Sequence, residues 1–329
     1  MEKPEGLKRI PKSGTHFLDK DARKSKNLER RSDSIGSNCA LDRRHWLALC
    51  GGALASAAFP AFSAQPAPWR PNLDSDPPFG LTGRFSQGGY AIGRGTPGAD
   101  IVVDGTSRGS VGPSGWFYAG FDRDAGPTCH ISLKTPTGQQ SAVVSILPVS
   151  YDIQRVDGLP QDTVTPQDPA LLERIKREAA LKAEAFSSRI DSDAFHRGFD
   201  WPLSKFVVSG HFGNQRVLNG TPTSPHMGFD MAAPTGTLVH APQDGLVVLA
   251  EPDMFYEGGL VLVDHGQGLI SMYLHQSELL VQKGQWVRQA QVLGRVGQKG
   301  RATGPHLCWR LKWSDRHMDP SLMVVNRTA

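Results

Sequence analysis

At 329 residues with an apolar share of 39%, the chain is long enough for two modest domains and a connector, and its composition excludes a disordered or collagen-like polymer. A formal net charge of +4 raises nucleic-acid binding, but residues 1–64 hold 12 Lys and Arg against 7 Asp and Glu, which leaves 24 against 25 in residues 65–329. The basic character belongs to the leader, and the rest of the chain has no electrostatic reason to bind nucleic acid.

Residues 1–40 are polar and charged without apolar periodicity, and are expected to be disordered. Arg43 and Arg44 then precede a mildly apolar run rich in Ala and Gly, which ends on the small residues Ser63 and Ala64. This is the pattern of a twin-arginine signal peptide cut near Ser63 or Ala64. Gly51, Gly52 and Pro60 interrupt the run and argue against a retained membrane anchor. The product is expected to be exported, in the periplasm or cell envelope, with no stable membrane span after cleavage. Of the four cysteines, Cys39 and Cys50 fall in or before this leader, and the distant pair Cys129 and Cys308 gives no readable disulfide framework.

Five prolines mark residues 65–78 as a linker. Residues 79–155 alternate short apolar stretches, such as those around Ile101, Phe117 and Val144, with Gly- and Pro-rich turns, as in a small antiparallel β-sandwich. No cluster of His, Cys or paired carboxylates occurs there, so it reads as a positioning or binding module, and His130 as a surface or satisfied histidine rather than a ligand. Residues 156–200 form a connector with one helix, signalled by Asp168 as N-cap, Pro169 in the first turn, and a stripe of Leu172, Ile175, Ala179, Ala183, Phe186 and Ile190. Residues 201–325 change to short, glycine-punctuated strands, giving a mainly β protein: sandwich, bridging helix, and a strand-rich half-open barrel.

The chemistry-bearing residues fall in this last part: His226 with Asp230, then Tyr273-Leu-His275, then His306-Leu-Cys308. Imidazole, carboxylate and thiolate are zinc ligands, and three protein ligands with an open position make a catalytic zinc site. His306 and Cys308, two apart on a strand, share a face. His226 and Asp230 would lie about 13 Å apart on an extended strand at ~3.3 Å per residue, so one metal takes both only if the chain bends, and Gly228 stands between them. Singly, each piece has an ordinary alternative, as a packed histidine or a small buried thiol.

Together, residues 206–320 resemble the lysostaphin/LytM-type peptidoglycan endopeptidases, whose pattern is H-x-x-x-D, a Y-x-H strand, a Gly-rich hairpin and G-P-H-x-H. It stands here as HMGFDMAAPTGTLVHAPQDG, VDHGQGLISMYLHQSE, KGQWVRQAQVLGRVGQKGRATGPH and LCW. The resemblance implies Zn²⁺ as cofactor, His226 and Asp230 as ligands, and His306 and His275 as the two catalytic histidines that do not bind metal. It puts Cys308 at the third ligand position, where the family usually has His. The implied activity is a zinc metalloendopeptidase cutting peptide stems or cross-links of bacterial peptidoglycan, with cell-envelope proteins as further partners. Glycine bridges and D-alanine to diaminopimelate links are both cut within the family, and the export signal favours the second.

Cys308 changes the electrostatics. With Zn²⁺, two His and one Asp leave one net positive charge, whereas one His, one Asp and one thiolate leave none, and a less positive centre acidifies its water less. The expectation is a slower hydrolase or one with a more alkaline optimum. The alternative is a degenerate, metal-free domain that activates or binds other wall hydrolases. Survival of His226, Asp230, His275 and His306 favours activity.

Overall fold

The structure, a computed structural model, describes residues 79–325, all within one compact unit, Ala64–Ala329. The leader, its twin-arginine segment and the Pro-rich linker lie outside the described residues.

The first module contains β1 (Thr82–Arg84), β2 (Tyr90–Arg94), β3 (Asp100–Val103), β4 (Thr106–Ser110), β5 (Trp116–Gly120), β6 (Thr128–Thr135) and β7 (Gly138–Ser145). They form two antiparallel sheets, ordered β1-β2-β5 and β4-β3-β6-β7. Alternation drives this packing: on β6, Cys129, Ile131 and Leu133 point inward, while His130 is exposed. Phe79 meets Phe117 edge-on in the core between the sheets.

The connector carries more than one helix. β8 (Ile153–Val156) and the short α1 (Gln161–Val164) precede α2 (Pro169–Phe186). Asp168 caps α2 as expected, its side chain accepting from Ala170 N at 2.7 Å, with Pro169 in the first turn. The buried face is rotated from the predicted stripe, because Leu172, Ala179 and Ala183 are exposed. Polar contacts set the rotation: Arg174 pairs with Asp253 at 3.2 Å, Glu178 accepts from Phe255 N at 2.8 Å, and Lys182 pairs with Glu257.

The last part contains β9 (Val207–Gly210), β10 (Gln215–Leu218), β11 (Thr221–Pro222), β12 (Phe229–Ala232), β13 (Leu238–His240), β14 (Gly245–Met254), β15 (Gly258–Asp264), β16 (Leu269–Gln276), β17 (Glu278–Leu279), β18 (Trp286–Val287), β19 (Val292–Arg295), β20 (His306–Trp313) and β21 (Arg316–Met318). The main sheet runs β18-β14-β15-β16-β20-β12-β9, with β21 added to β20, and does not close into a barrel. A second small sheet is β13-β19-β17. In a third, β10 pairs antiparallel with β11 and parallel with β8.

β20 shows how the sheet positions chemistry. Leu307, Trp309, Leu311 and Trp313 are fully buried in the core, which sends His306, Cys308 and Arg310 to the opposite face. That core is continuous with the first module: Tyr118 packs edge-on against Phe195 and Trp313, and a Cβ on Gly120 would strike the Met318 sulfur at 2.6 Å. Among the described residues, no helix is long and apolar enough to cross a membrane.

Candidate metal centre

Two neighbouring strands and one loop bring the predicted ligands together. Asp230 on β12 lies directly opposite Cys308 on β20, and the loop before β12 folds His226 back over them. His226 Nε2 lies 3.1 Å from Asp230 Oδ1 and 3.4 Å from Cys308 Sγ, and one ligand atom from each of the three residues falls within 4.8 Å of the others. The chain bends at Gly228, as the spacing required, but space rather than backbone freedom demands the glycine. A Cβ there would sit 2.8 Å from Cys308 Sγ and from Arg310 Cγ, and 3.2 Å from His226 Nε2. Gly210 on β9 is a second such position, its would-be Cβ 2.5 Å from Asp230 Oδ2.

Backbone carbonyls fix the tautomers of all three site histidines. A carbonyl only accepts, so each Nδ1 must carry the proton: His226 donates to His211 O at 3.1 Å, His275 to Lys299 O at 2.8 Å, and His306 to Gly304 O at 2.8 Å. In the neutral form each therefore presents an Nε2 lone pair. Burial lowers the pKa of His226 despite Asp230 beside it, and burial with His306 nearby drives His275 down to about 3, so both are neutral at physiological pH.

Burial works against ionisation of Asp230, but the charge of the Arg216 guanidinium beside it holds the carboxyl well below its usual range. Arg216 Nη2 donates to Oδ2 at 2.6 Å. The other oxygen, Oδ1, is buried without a hydrogen-bond partner. Burial, reinforced by Asp230, pushes the Cys308 thiol up to about 12, against the opposing charges of Arg310 and Arg216. Arg310 Nε donates to Sγ at 3.4 Å.

A neutral imidazole lone pair, an orphaned carboxylate oxygen and a sulfur thus converge in a buried space. A cation among them would satisfy all three, and the donor set and the three-ligand count suit Zn²⁺. His275 and His306 stand beside this cluster with ring centroids 4.6 Å apart, and His306 Nε2 is 3.9 Å from Asp230 Oδ1. His275 arrives there through a β-bulge. The β15–β16 register shifts between Gly259 and Val261, and His275 takes a left-handed φ of 67°. Tyr273 stays in the core, hydrogen bonded to Ser271 at 2.7 Å, and His265 is buried between Asp244 O and Ser271 Oγ. Neither reaches the cluster by any hydrogen bond.

A cleft of about 170 Å³ opens onto the site, lined by Asp230, His306, Arg216 and Arg301, and by Val156 and Leu159 from the connector. Three arginines around the cluster, Arg216, Arg301 and Arg310, were not singled out from the sequence. Alternation along β20 was enough to place Arg310 beside Cys308. Arg216 comes from β10, and no local signal links it to Asp230.

The model of Peptidase family M23 matches residues 224–320. A Pseudomonas aeruginosa crystal structure, provisionally assigned as a peptidase M23, aligns with 30% identity over 73% of this chain and 95% of its own, with a TM-score of 0.57. Peptidoglycan DD-endopeptidase ShyA of Vibrio cholerae is 40% identical over 124 residues, which are 37% of this chain and 29% of that protein. DD-carboxypeptidase/endopeptidase Mpg of Neisseria meningitidis serogroup B is 37% identical over 95 residues, 29% of this chain and 22% of that protein. The chain thus spans less than a third of the length of these curated relatives. The matched segment holds His226, Asp230, His275, His306 and Cys308, and the similarity to the Pseudomonas structure reaches far beyond it: the chain belongs to peptidase family M23.

Proposed function

We propose that this chain is an exported zinc metalloendopeptidase that hydrolyses peptide stems or cross-links of bacterial peptidoglycan, with His226, Asp230 and Cys308 as the metal ligands. The observation that carries this is the convergence of three donors beside two carbonyl-anchored histidines at the edge of an open cleft. ShyA and Mpg, named as cell-wall peptidases, support the substrate class.

When bound, zinc supplies Lewis acidity for amide hydrolysis. His306 is the general base: its Nδ1 proton is committed to Gly304 O, so Nε2 faces the cleft ready to take a proton from water. His275 stands next to it as the group that steadies the developing oxyanion or protonates the leaving amine. Its Nδ1 proton is committed to Lys299 O, so either act needs a proton on Nε2, and the proton that His306 takes from water is the one available to it, the two ring centroids being 4.6 Å apart. Arg216 holds the second oxygen of Asp230 and so orients the first toward His226 and Cys308.

The test compares full-length protein with Cys308→Ser and Cys308→His, measuring bound zinc and peptides released from purified peptidoglycan. The native chain is expected to hold about one zinc and to cut, Cys308→Ser to lose both, and Cys308→His to keep both. A native chain that is zinc-free and inert, with Cys308→His gaining metal and activity, would instead make this a metal-free partner of other wall hydrolases.

A further inference from the structure

The cleft wall contains a cation that no carboxylate of the described residues pairs with directly. Arg216 is spent on Asp230 and Arg310 on Cys308, and Lys182 is paired with Glu257. Arg301, in the loop between β19 and β20, lines the same cleft as Asp230 and His306. Its backbone N donates to Tyr256 O at 2.9 Å, and its guanidinium lies over the Tyr256 ring, 4.9 Å from the centroid. The only hydrogen bond of that guanidinium among the described residues is a long one, Nη1 to Thr163 O at 3.4 Å, and no carboxylate of the described residues pairs with it.

Burial, with Arg310 and Arg216 nearby, lowers the pKa of Arg301 from its ordinary value, although Tyr256 and Glu257 act the other way. A guanidinium is planar by resonance, and one lying over a tyrosine face can still offer an edge that matches a carboxylate with two parallel hydrogen bonds. Val156, Leu159 and Leu218 supply apolar wall around it, against which the rest of a peptide can lie.

We propose that Arg301 is the carboxylate-binding residue of the substrate cleft, so that the chain selects peptides carrying a free carboxylate near the bond to be cut. This rests on the peptidase reading of the same site, and the experiment separates the two.

Two synthetic cross-linked stem peptides are made that differ only in whether their carboxyls are free or amidated, each in a cleavable form and in a form with the scissile amide N-methylated. Affinity of the full-length, zinc-loaded protein for the N-methylated pair is measured by calorimetry, and hydrolysis of the cleavable pair by chromatography. The free acid is expected to bind at least about tenfold more tightly than the amide. Arg301→Gln is expected to remove that preference while leaving affinity for the amidated peptide within about threefold, and Arg301→Lys to keep part of it. Equal affinity of the native protein for both peptides overturns the proposal. So does an equal loss on both in Arg301→Gln, which would make Arg301 a prop of its loop. Absence of cleavage with the binding preference intact overturns the peptidase reading and leaves Arg301 in its role.

Discussion

In the proposed zinc site, Cys308 in place of a histidine leaves the centre one positive charge lower, and the neighbouring side chains put charge back. Arg310 donates to the sulfur at 3.4 Å, and Gly228, by lacking a Cβ, lets Arg310 and Cys308 pack against the same point. Hydrogen bonds to a ligating sulfur from an ionised donor stabilise the thiolate form that a metal requires, by about 1.5–3 kcal/mol. Arg310→Gln should therefore weaken zinc affinity about tenfold or more in the native protein and barely change it in the Cys308→His background. Chelator competition on the four proteins of this double-mutant cycle checks it. Equal losses in both backgrounds would show that Arg310 supports the strand rather than the sulfur.

At the scale of elements, the proposed metal site hangs on the loop between β9 and β10. His226 is tied to it three times: Nδ1 to His211 O, Gly213 N to His226 O at 2.7 Å, and His226 N to Asn214 O at 2.8 Å. The first module grips the same loop from its other side, with Arg123 Nε donating to Gly213 O at 2.7 Å and Asp152 N donating to Asn214 Oδ1 at 3.2 Å. Tyr151 lies where a side chain on Gly213 would go, and Gly213 has a left-handed φ of 85°. Arg123→Ala removes this outer clamp. It should lower stability by about 1–2 kcal/mol and zinc affinity several-fold, because His226 then pays an ordering cost on binding metal. Denaturant unfolding and chelator competition read the two effects; unchanged affinity alongside lowered stability would limit the clamp to folding. Nothing in the sequence announces this arrangement, since Arg123 and His226 are linked through backbone groups of a third segment. What alternation and capping control was legible: the shared face of His306 and Cys308, the bend between His226 and Asp230, and the Asp168 cap. The phase of α2 was not, because its buried face is set by Arg174, Glu178 and Lys182 reaching the turn at 253–257, and hydrophobic periodicity cannot see ion pairs. The bulge that turns His275 away from Tyr273 was likewise invisible, since a strict period of two would put both on one face.

For the whole molecule, burying neutral histidines in a shared core makes stability depend on pH. Burial depresses His265 from 6.5 to about 4, even though Nδ1 donates to Asp244 O at 2.8 Å, and Ser271 Oγ is 2.7 Å from Nε2. The folded pKa lies below the unfolded one, so as pH falls the unfolded chain binds a proton that the folded chain refuses. Stability from this group is fully present above about pH 6.5, is lost progressively down to about pH 4, and changes no further below that, a loss on the order of 3 kcal/mol. His275, driven to about 3 by burial and His306, adds to the same acid side. Asp264 and Asp319, raised by burial, act in the opposite sense, gaining relative stability as pH falls through their folded pKa values. His265→Gln keeps a donor and an acceptor in place without a titrating ring. Urea midpoints measured with zinc chelated at pH 7.5, 6 and 5 should fall more gently in the variant than in the native protein, by about one proton's worth of slope between pH 6 and 5. Parallel curves for the two proteins would mean that His265 is hydrated or charged in the folded state, and that the acid sensitivity belongs to the metal-site histidines instead.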